Sequence, residues 1–116
     1  MEQTQLGTHL LLDIKGCSFD NLNNEIFIKR TLLELAEIGN MTVLFYKGHR
    51  FKPQGVTAFL LLAESHISIH TWPEKGIATI DYYTCNVVSH IEAVEKCIVE
   101  RLHPTDVNHK IIERQI

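Results

Sequence analysis

The sequence predicts an α+β two-layer sandwich, a mostly antiparallel sheet with two helices on one face. Three observations carry this prediction. Four β-rich segments follow one another between residues 41 and 84 with only short loops between them. Two segments with helical spacing of apolar residues lie on either side of that run. A chain of 116 residues has room for one domain with one core and not for two. Strands joined by short loops pair antiparallel, because a parallel crossover takes a dozen or more residues. The expected order is β-α-β-β-β-β-α-β, with residues 1–116 as a single domain.

The elements are read in chain order. His9 to Ile14 (HLLLDI) is a short strand, ended by the polar Lys15 and by Gly16. A helix is expected from about Leu22 to Ile38, with Leu22, Ile26, Leu33 and Ala36 as its apolar positions beside Leu32 and Leu35. Asp20 or Asn21 can cap it, and Gly39 with Asn40 closes it. Met41 to Tyr46 is a strand, and Lys47 to Gly55, with Gly48, Pro53 and Gly55, is a loop. Val56 to Ala63 is the most apolar stretch and reads as a central strand. Ile67 to Trp72 alternates and ends at Pro73. Ala78 to Thr84 follows as the next strand. Ser89 and Glu92 form a capping-box pattern opening a helix to about Leu102, with Ile91, Val94, Ile98 and Leu102 on its apolar face. Lys110 to Gln115 reads as the last strand.

Totals exclude several function classes. A hydrophobic fraction of 45% and a charged fraction of 22% are those of an ordinary globular protein. The net charge of −3 provides no basic footprint for nucleic acid. No apolar run approaches the ~20 residues that span a bilayer, and Met1 to His9 has no secretory pattern. Cys17, Cys85 and Cys97 are an odd set without CxxC spacing, which points to reduced thiols in the cytoplasm. Two helices cannot cover both faces of so large a sheet. Burying the open face against a second copy makes a homodimer the expected assembly.

The chemistry concentrates in Ala63 to Glu74 (AESHISIHTWPE), where two histidines, two serines and two glutamates follow the most apolar strand. Polar residues on the solvent side of a strand are the plain explanation. His66 and His70 stand four apart, a metal spacing on a helix. On a strand they lie roughly 13 Å apart at ~3.3 Å per residue, too far for one ion, so no metal is expected. Ser65 with His70 has no G-x-S-x-G elbow to support a hydrolase reading. A serine placed where the chain turns sharply could instead attack its own preceding carbonyl if the turn is strained. Trp72 and Phe59 are most simply core residues, as is Cys97 beside the second helix's stripe.

ESHISIHTWPE, followed by Asp81 and Thr84-Cys85, resembles the central signature of the small prokaryotic and archaeal S-adenosylmethionine decarboxylases. His49-Arg50-Phe51 with Pro53, Gly55 and Val56 resembles that family's loop before the central strand. Gly7-Thr8-His9-Leu10 and Asn108 to Glu113 resemble its first and last strands, so the likeness covers nearly the whole chain. The resemblance implies a proenzyme that cuts itself between Glu64 and Ser65 by an N-to-O acyl shift and β-elimination. This leaves a beta chain of residues 1–64 and an alpha chain of residues 65–116 blocked by a pyruvoyl group made from Ser65. That group forms a Schiff base with the amine of S-adenosylmethionine and takes up the electrons left when carbon dioxide departs. No metal is required, and the product serves spermidine and other polyamine synthesis.

By the same resemblance His70 is the proton acceptor in processing and Cys85 the proton donor in turnover. Phe51 stacks on adenine and Glu74 binds the ribose hydroxyls. Where the family commonly has a serine assisting self-cleavage, this chain has Thr57, which keeps the hydroxyl but restricts its rotamers. Two other readings share the sequence: the same pyruvoyl chemistry on ornithine or arginine, or a non-catalytic partner subunit. Phe51 and Glu74 favour the nucleoside, for which a short basic amino acid has no use. The intact set of Glu64, Ser65, His70 and Cys85 argues for catalysis.

Overall fold

The computed structural model describes residues 4–85 and 90–116. Six strands form one sheet: β1 (Gln5–Lys15), β2 (Val43–Arg50), β3 (Val56–Leu62), β4 (Ser65–Trp72), β5 (Ile77–Thr84) and β6 (Asp106–Gln115). Their order across the sheet is β2-β3-β4-β5-β1-β6, and every neighbouring pair is antiparallel. Helices α1 (Phe19–Leu22), α2 (Glu25–Ile38) and α3 (Ile91–Leu102) complete the domain, with a 3-10 turn at Pro73–Lys75. The α+β sandwich expected from the sequence is the fold observed.

The first helix differs from expectation because it is two helices. Ser18 accepts the N–H of Asn21 and starts α1, and Asn24 accepts the N–H of Phe27 and starts α2. Asp20 and Asn21 cap neither. A second side-chain acceptor so soon after the first ends one turn and begins another. The restart also rotates the buried stripe, which is Ile28, Thr31, Leu32, Leu35 and Ala36. Ile26, expected inside, is 65% exposed. Gly39 is the C-cap and Asn40 follows with φ 54°, as expected. Before α3, Ser89 of the expected capping box lies outside the described residues. The face Ile91, Val94, Ile98 and Leu102 is buried as expected, with Cys97 among it.

Strand alternation fixes which residues meet the helices. Leu60, Ile67, Tyr82 and Leu10 pair in register across β3, β4, β5 and β1, and all four are fully buried. Truncating one such Leu costs about 2–5 kcal/mol, through lost transfer energy and the cavity left behind. Residues of the other parity face away from the helices. Phe59 and Trp72, expected in the core, belong to this set and are 37% and 40% exposed. Phe59 lies one residue from buried Ala58 and Leu60, and a pleat sends neighbours to opposite faces. Leu61, Phe45 and Ile112 add apolar surface to the same open face.

The segment Lys47 to Arg50, expected as loop, continues β2. It pairs with β3 as far as Arg50 opposite Val56. The connection shortens to Phe51 through Gly55, closed by the Phe51 N–H donating to the Gly55 carbonyl at 2.8 Å. No helix among the described residues is long and apolar enough to cross a membrane.

Candidate active site

β3 and β4 are joined by a two-residue turn. Leu62 pairs with Ser65, leaving Ala63 and Glu64 at its tip. Glu64 takes φ 64°, a left-handed conformation that costs a residue with a Cβ about 1–2 kcal/mol. In this conformation its carbonyl accepts a hydrogen bond from the Cys85 thiol at 2.6 Å. Cys85 follows β5 directly and is exposed. The acyl carbon of the Glu64–Ser65 peptide therefore has a donor on its oxygen, and the Ser65 hydroxyl is one residue away on the nitrogen side. Ser65 itself is 7% exposed and points to the helix-bearing face, with the parity of Ile67 and Ile69. The turn, the Ser65 hydroxyl and the carbonyl donor lie at one end of the sheet.

A second cluster lies at the far end of the same strands. Thr57 and His70 are cross-strand partners, and the threonine hydroxyl shares a hydrogen bond of 3.1 Å with His70 Nδ1. Phe51, Gln54, Gly55, Thr71, Trp72 and Glu74 join them around a groove of about 370 Å³. Thr71 anchors its floor: the hydroxyl accepts the Val56 N–H at 2.9 Å and donates to the Leu22 carbonyl at 2.8 Å. Asn23 Oδ1 accepts the Gly55 N–H at 3.0 Å. Gly55 has φ 113°, a region closed to other residues without strain. The groove is thus a consequence of the shortened β2–β3 turn, docked onto α1.

The expected site residues therefore fall into two groups. Glu64, Ser65 and Cys85 are together; Thr57, His70, Phe51 and Glu74 are together. Ser65 and His70 stand five apart on one strand, which is about 16 Å at ~3.3 Å per residue. An odd spacing also sends them to opposite faces. Within one chain His70 does not reach Ser65.

Sequence reasoning missed the rings beside Cys85. Tyr83 stacks with His66 at 5.6 Å and meets the tilted ring of His9 at 4.5 Å between centroids, and Phe59 stacks on His66 from the other side. The alternation that puts Tyr83, His66 and His9 in one register row was readable, but nothing in composition marks such a row. Burial holds the His9 imidazole below its ordinary value, helped by the nearby Arg114 cation and His66, while Asp81 acts oppositely. Arg114 Nη1 lies 3.2 Å from His9 Nε2, where a neutral imidazole accepts its proton. The other two thiols are buried. Burial raises that of Cys17, and burial with the neighbouring Glu34 raises that of Cys97 to about 11.

Known proteins of this shape bear on the site. Residues 8–115 match the sequence pattern described as S-adenosylmethionine decarboxylase. The S-adenosylmethionine decarboxylase proenzyme of Brevibacillus brevis is 40% identical over 114 residues, covering 98% of this chain and 86% of that protein. The proenzyme of the same name from Methanococcus maripaludis is 40% identical, covering 94% and 93% respectively. The crystal structure of the adenosylmethionine decarboxylase from Aquifex aeolicus superposes with a TM-score of 0.89 at 36% identity, covering 97% of this chain and 93% of the other. A match over nearly the whole sequence, joined to a shared fold, leads to one conclusion: this chain belongs to the S-adenosylmethionine decarboxylase family.

Proposed function

We propose that this chain is a proenzyme that cuts itself between Glu64 and Ser65 and then decarboxylates S-adenosylmethionine. The observation that carries the proposal is the hydrogen bond from the Cys85 thiol to the Glu64 carbonyl at a two-residue turn. A hydroxyl attacking that carbonyl builds negative charge on its oxygen, and a donor already in place stabilises that charge. The Ser65 Oγ–acyl bond forms as the Glu64–Ser65 C–N bond breaks, giving an ester. Removal of the Ser65 α-hydrogen expels Glu64 as a carboxylate and leaves dehydroalanine. Water then replaces its nitrogen, which departs as ammonia, leaving a pyruvoyl group at the head of residues 65–116.

The site suits such a group. Its precursor serine is buried on the helix side of the sheet, next in the chain to the carbonyl that the Cys85 thiol holds. When formed, the pyruvoyl group supplies the electrophilic carbonyl and electron sink that amino-acid decarboxylation requires. Cys85 Sγ then holds the proton that the substrate α-carbon takes up once carbon dioxide has left.

His70 acts on Ser65 from a second copy of the chain. The separation along β4 forbids the reaction within one copy, and the open sheet face presents Phe59, Leu61 and Phe45 for burial. Two sheets packed face to face and related by a two-fold axis bring the Glu64–Ser65 turn of one, rather than the buried Ser65 side chain, against the His70 end of the other. The groove beside His70 then supplies Thr57 to processing and Phe51 and Glu74 to the substrate. Phe51 stacks on adenine, and the Glu74 carboxylate accepts from the ribose hydroxyls. The three free thiols support a reducing, cytoplasmic setting.

Denaturing electrophoresis and intact mass test the first step. Purified protein separates into residues 1–64 and 65–116, the second blocked to Edman degradation, while Ser65→Ala stays one chain. A protein that decarboxylates its substrate while remaining uncut overturns the proposal.

A further inference from the structure

The Tyr83 hydroxyl is placed by more constraints than an ordinary strand tyrosine needs. It stands two residues before Cys85, and its oxygen is 3.9 Å from Cys85 Sγ. Its proton goes to the Leu6 carbonyl at 3.2 Å. Imidazoles from two different strands hold the ring, His9 on β1 and His66 on β4. A Cβ at position 7 would collide with the Tyr83 hydroxyl, so Gly7 is what lets the phenol lie over β1 and aim past it.

We propose that Tyr83 is the positioning residue for the Cys85 thiol after self-cleavage, an inference that rests on the proenzyme reading above. In the uncut chain the thiol is held by the Glu64 carbonyl. Cutting turns that carbonyl into a chain-end carboxylate no longer bonded to Ser65, so this anchor loses its fixed geometry. Tyr83 stays on the same strand as Cys85. Its own proton is committed to Leu6, so its oxygen faces the thiol as an acceptor, and an accepted S–H is kept as a thiol. A proton donor needs that state. Cys85 gives its proton to the substrate carbon, becomes thiolate, and recovers a proton from solvent. The charged and titratable groups around the phenol are His9 and His66 on its ring and Arg114, with Asp81 acting on His9.

The test compares wild type, Tyr83→Phe and Gly7→Ala in three assays. Self-cleavage should run at the wild-type rate in Tyr83→Phe, because Glu64 still holds the thiol at that stage. In cut protein, Cys85 alkylation by iodoacetamide near neutral pH should rise about two- to fivefold, with its pH profile moved to lower pH, as for loss of one modest hydrogen bond. For S-adenosylmethionine, kcat should fall by a similar factor with KM unchanged, and fewer turnovers should precede inactivation by misplaced protonation. Gly7→Ala, which displaces the hydroxyl without removing it, should reproduce the alkylation change and covers the case in which Tyr83→Phe does not fold. An unchanged alkylation profile in both folded variants overturns the proposal. Wild type that neither cuts itself nor decarboxylates overturns the proenzyme reading instead; the alkylation arm, run on uncut chain, then shows no difference while Glu64 holds the thiol.

Discussion

The Cys85 thiol, directly after β5, meets the Glu64 carbonyl at the β3–β4 turn at 2.6 Å. One residue, carried into the site by its resemblance to a turnover proton donor, thus touches the bond that must break first. The proposed function gives it a role in both steps, and the two can be separated by substitution.

Cys85→Ala should slow self-cleavage by about tenfold, the effect of losing one good hydrogen bond to a developing oxyanion, and should depress turnover further. Cys85→Ser keeps a donor and should cut nearly normally while turning over poorly. A time course of chain cleavage on denaturing gels reads both. Cys85→Ala cutting at the wild-type rate would show that the bond to Glu64 has no part in processing.

The proposed division of the site between two copies makes a complementation experiment decisive. His70→Ala and Ser65→Ala should each remain uncut when expressed alone. Co-expressed with different tags, they form mixed dimers in which the Ser65→Ala chain lends its His70 to the other. The His70→Ala chain, and only that chain, should then be cut. Its failure to be cut in isolated mixed dimers would return His70 to a role outside processing.

Much of this was legible in the sequence, for physical reasons that also explain the remainder. Alternation of buried and exposed residues is a local signal, so strands such as Ile67 to Trp72 could be placed. The break between α1 and α2 was not, because Asp20 and Asn21 are as good caps by residue type as Ser18 and Asn24, which the chain uses. Phe59 and Trp72 are most simply core residues by type, although parity sends them to the other face. The same parity already separated Ser65 from His70, five positions apart. Their separation was written in the sequence but could be used only once β4 was known to run unbroken from one to the other. Tyr83 gave no signal, since a tyrosine in a strand is ordinary and its importance lies in contacts with Gly7 and Leu6, over seventy residues away.

His9 gives a prediction in pH. Its folded pKa lies below its ordinary 6.5, first through burial and then through Arg114 and His66. As pH falls the unfolded chain takes up the proton before the folded one, so stability drops from about pH 6.5 down to the folded value and is unaffected above. Arg114→Gln should move the His9 titration part of the way back up, burial remaining, and should flatten that drop. Histidine proton resonances against pH, with urea midpoints at about pH 5 and about pH 7.5, measure both. An unmoved His9 titration would separate the arginine from the imidazole.

In the proposed function, substrate choice rests on the groove that holds Phe51, Trp72 and Glu74 beside His70. Phe51 is 46% exposed, which leaves its ring open to a ligand. In the proposed function an adenine ring covers it by stacking, at about 1–3 kcal/mol per base. Phe51→Ala should therefore lower kcat/KM for S-adenosylmethionine by roughly 5- to 150-fold. Self-cleavage should be intact, because the precursor is cut before any substrate is bound. Glu74→Gln should weaken the same substrate through the ribose hydroxyls and likewise leave cutting alone. Contacts so remote from the reacting carbon act by holding the amine and carboxylate in one pose, so neither change should help a smaller amino acid. Carbon dioxide release is then measured with S-adenosylmethionine, ornithine and arginine offered separately to cut wild-type enzyme. Activity on a basic amino acid with none on the nucleoside would assign the groove to another ligand and leave the self-cleaving turn untouched.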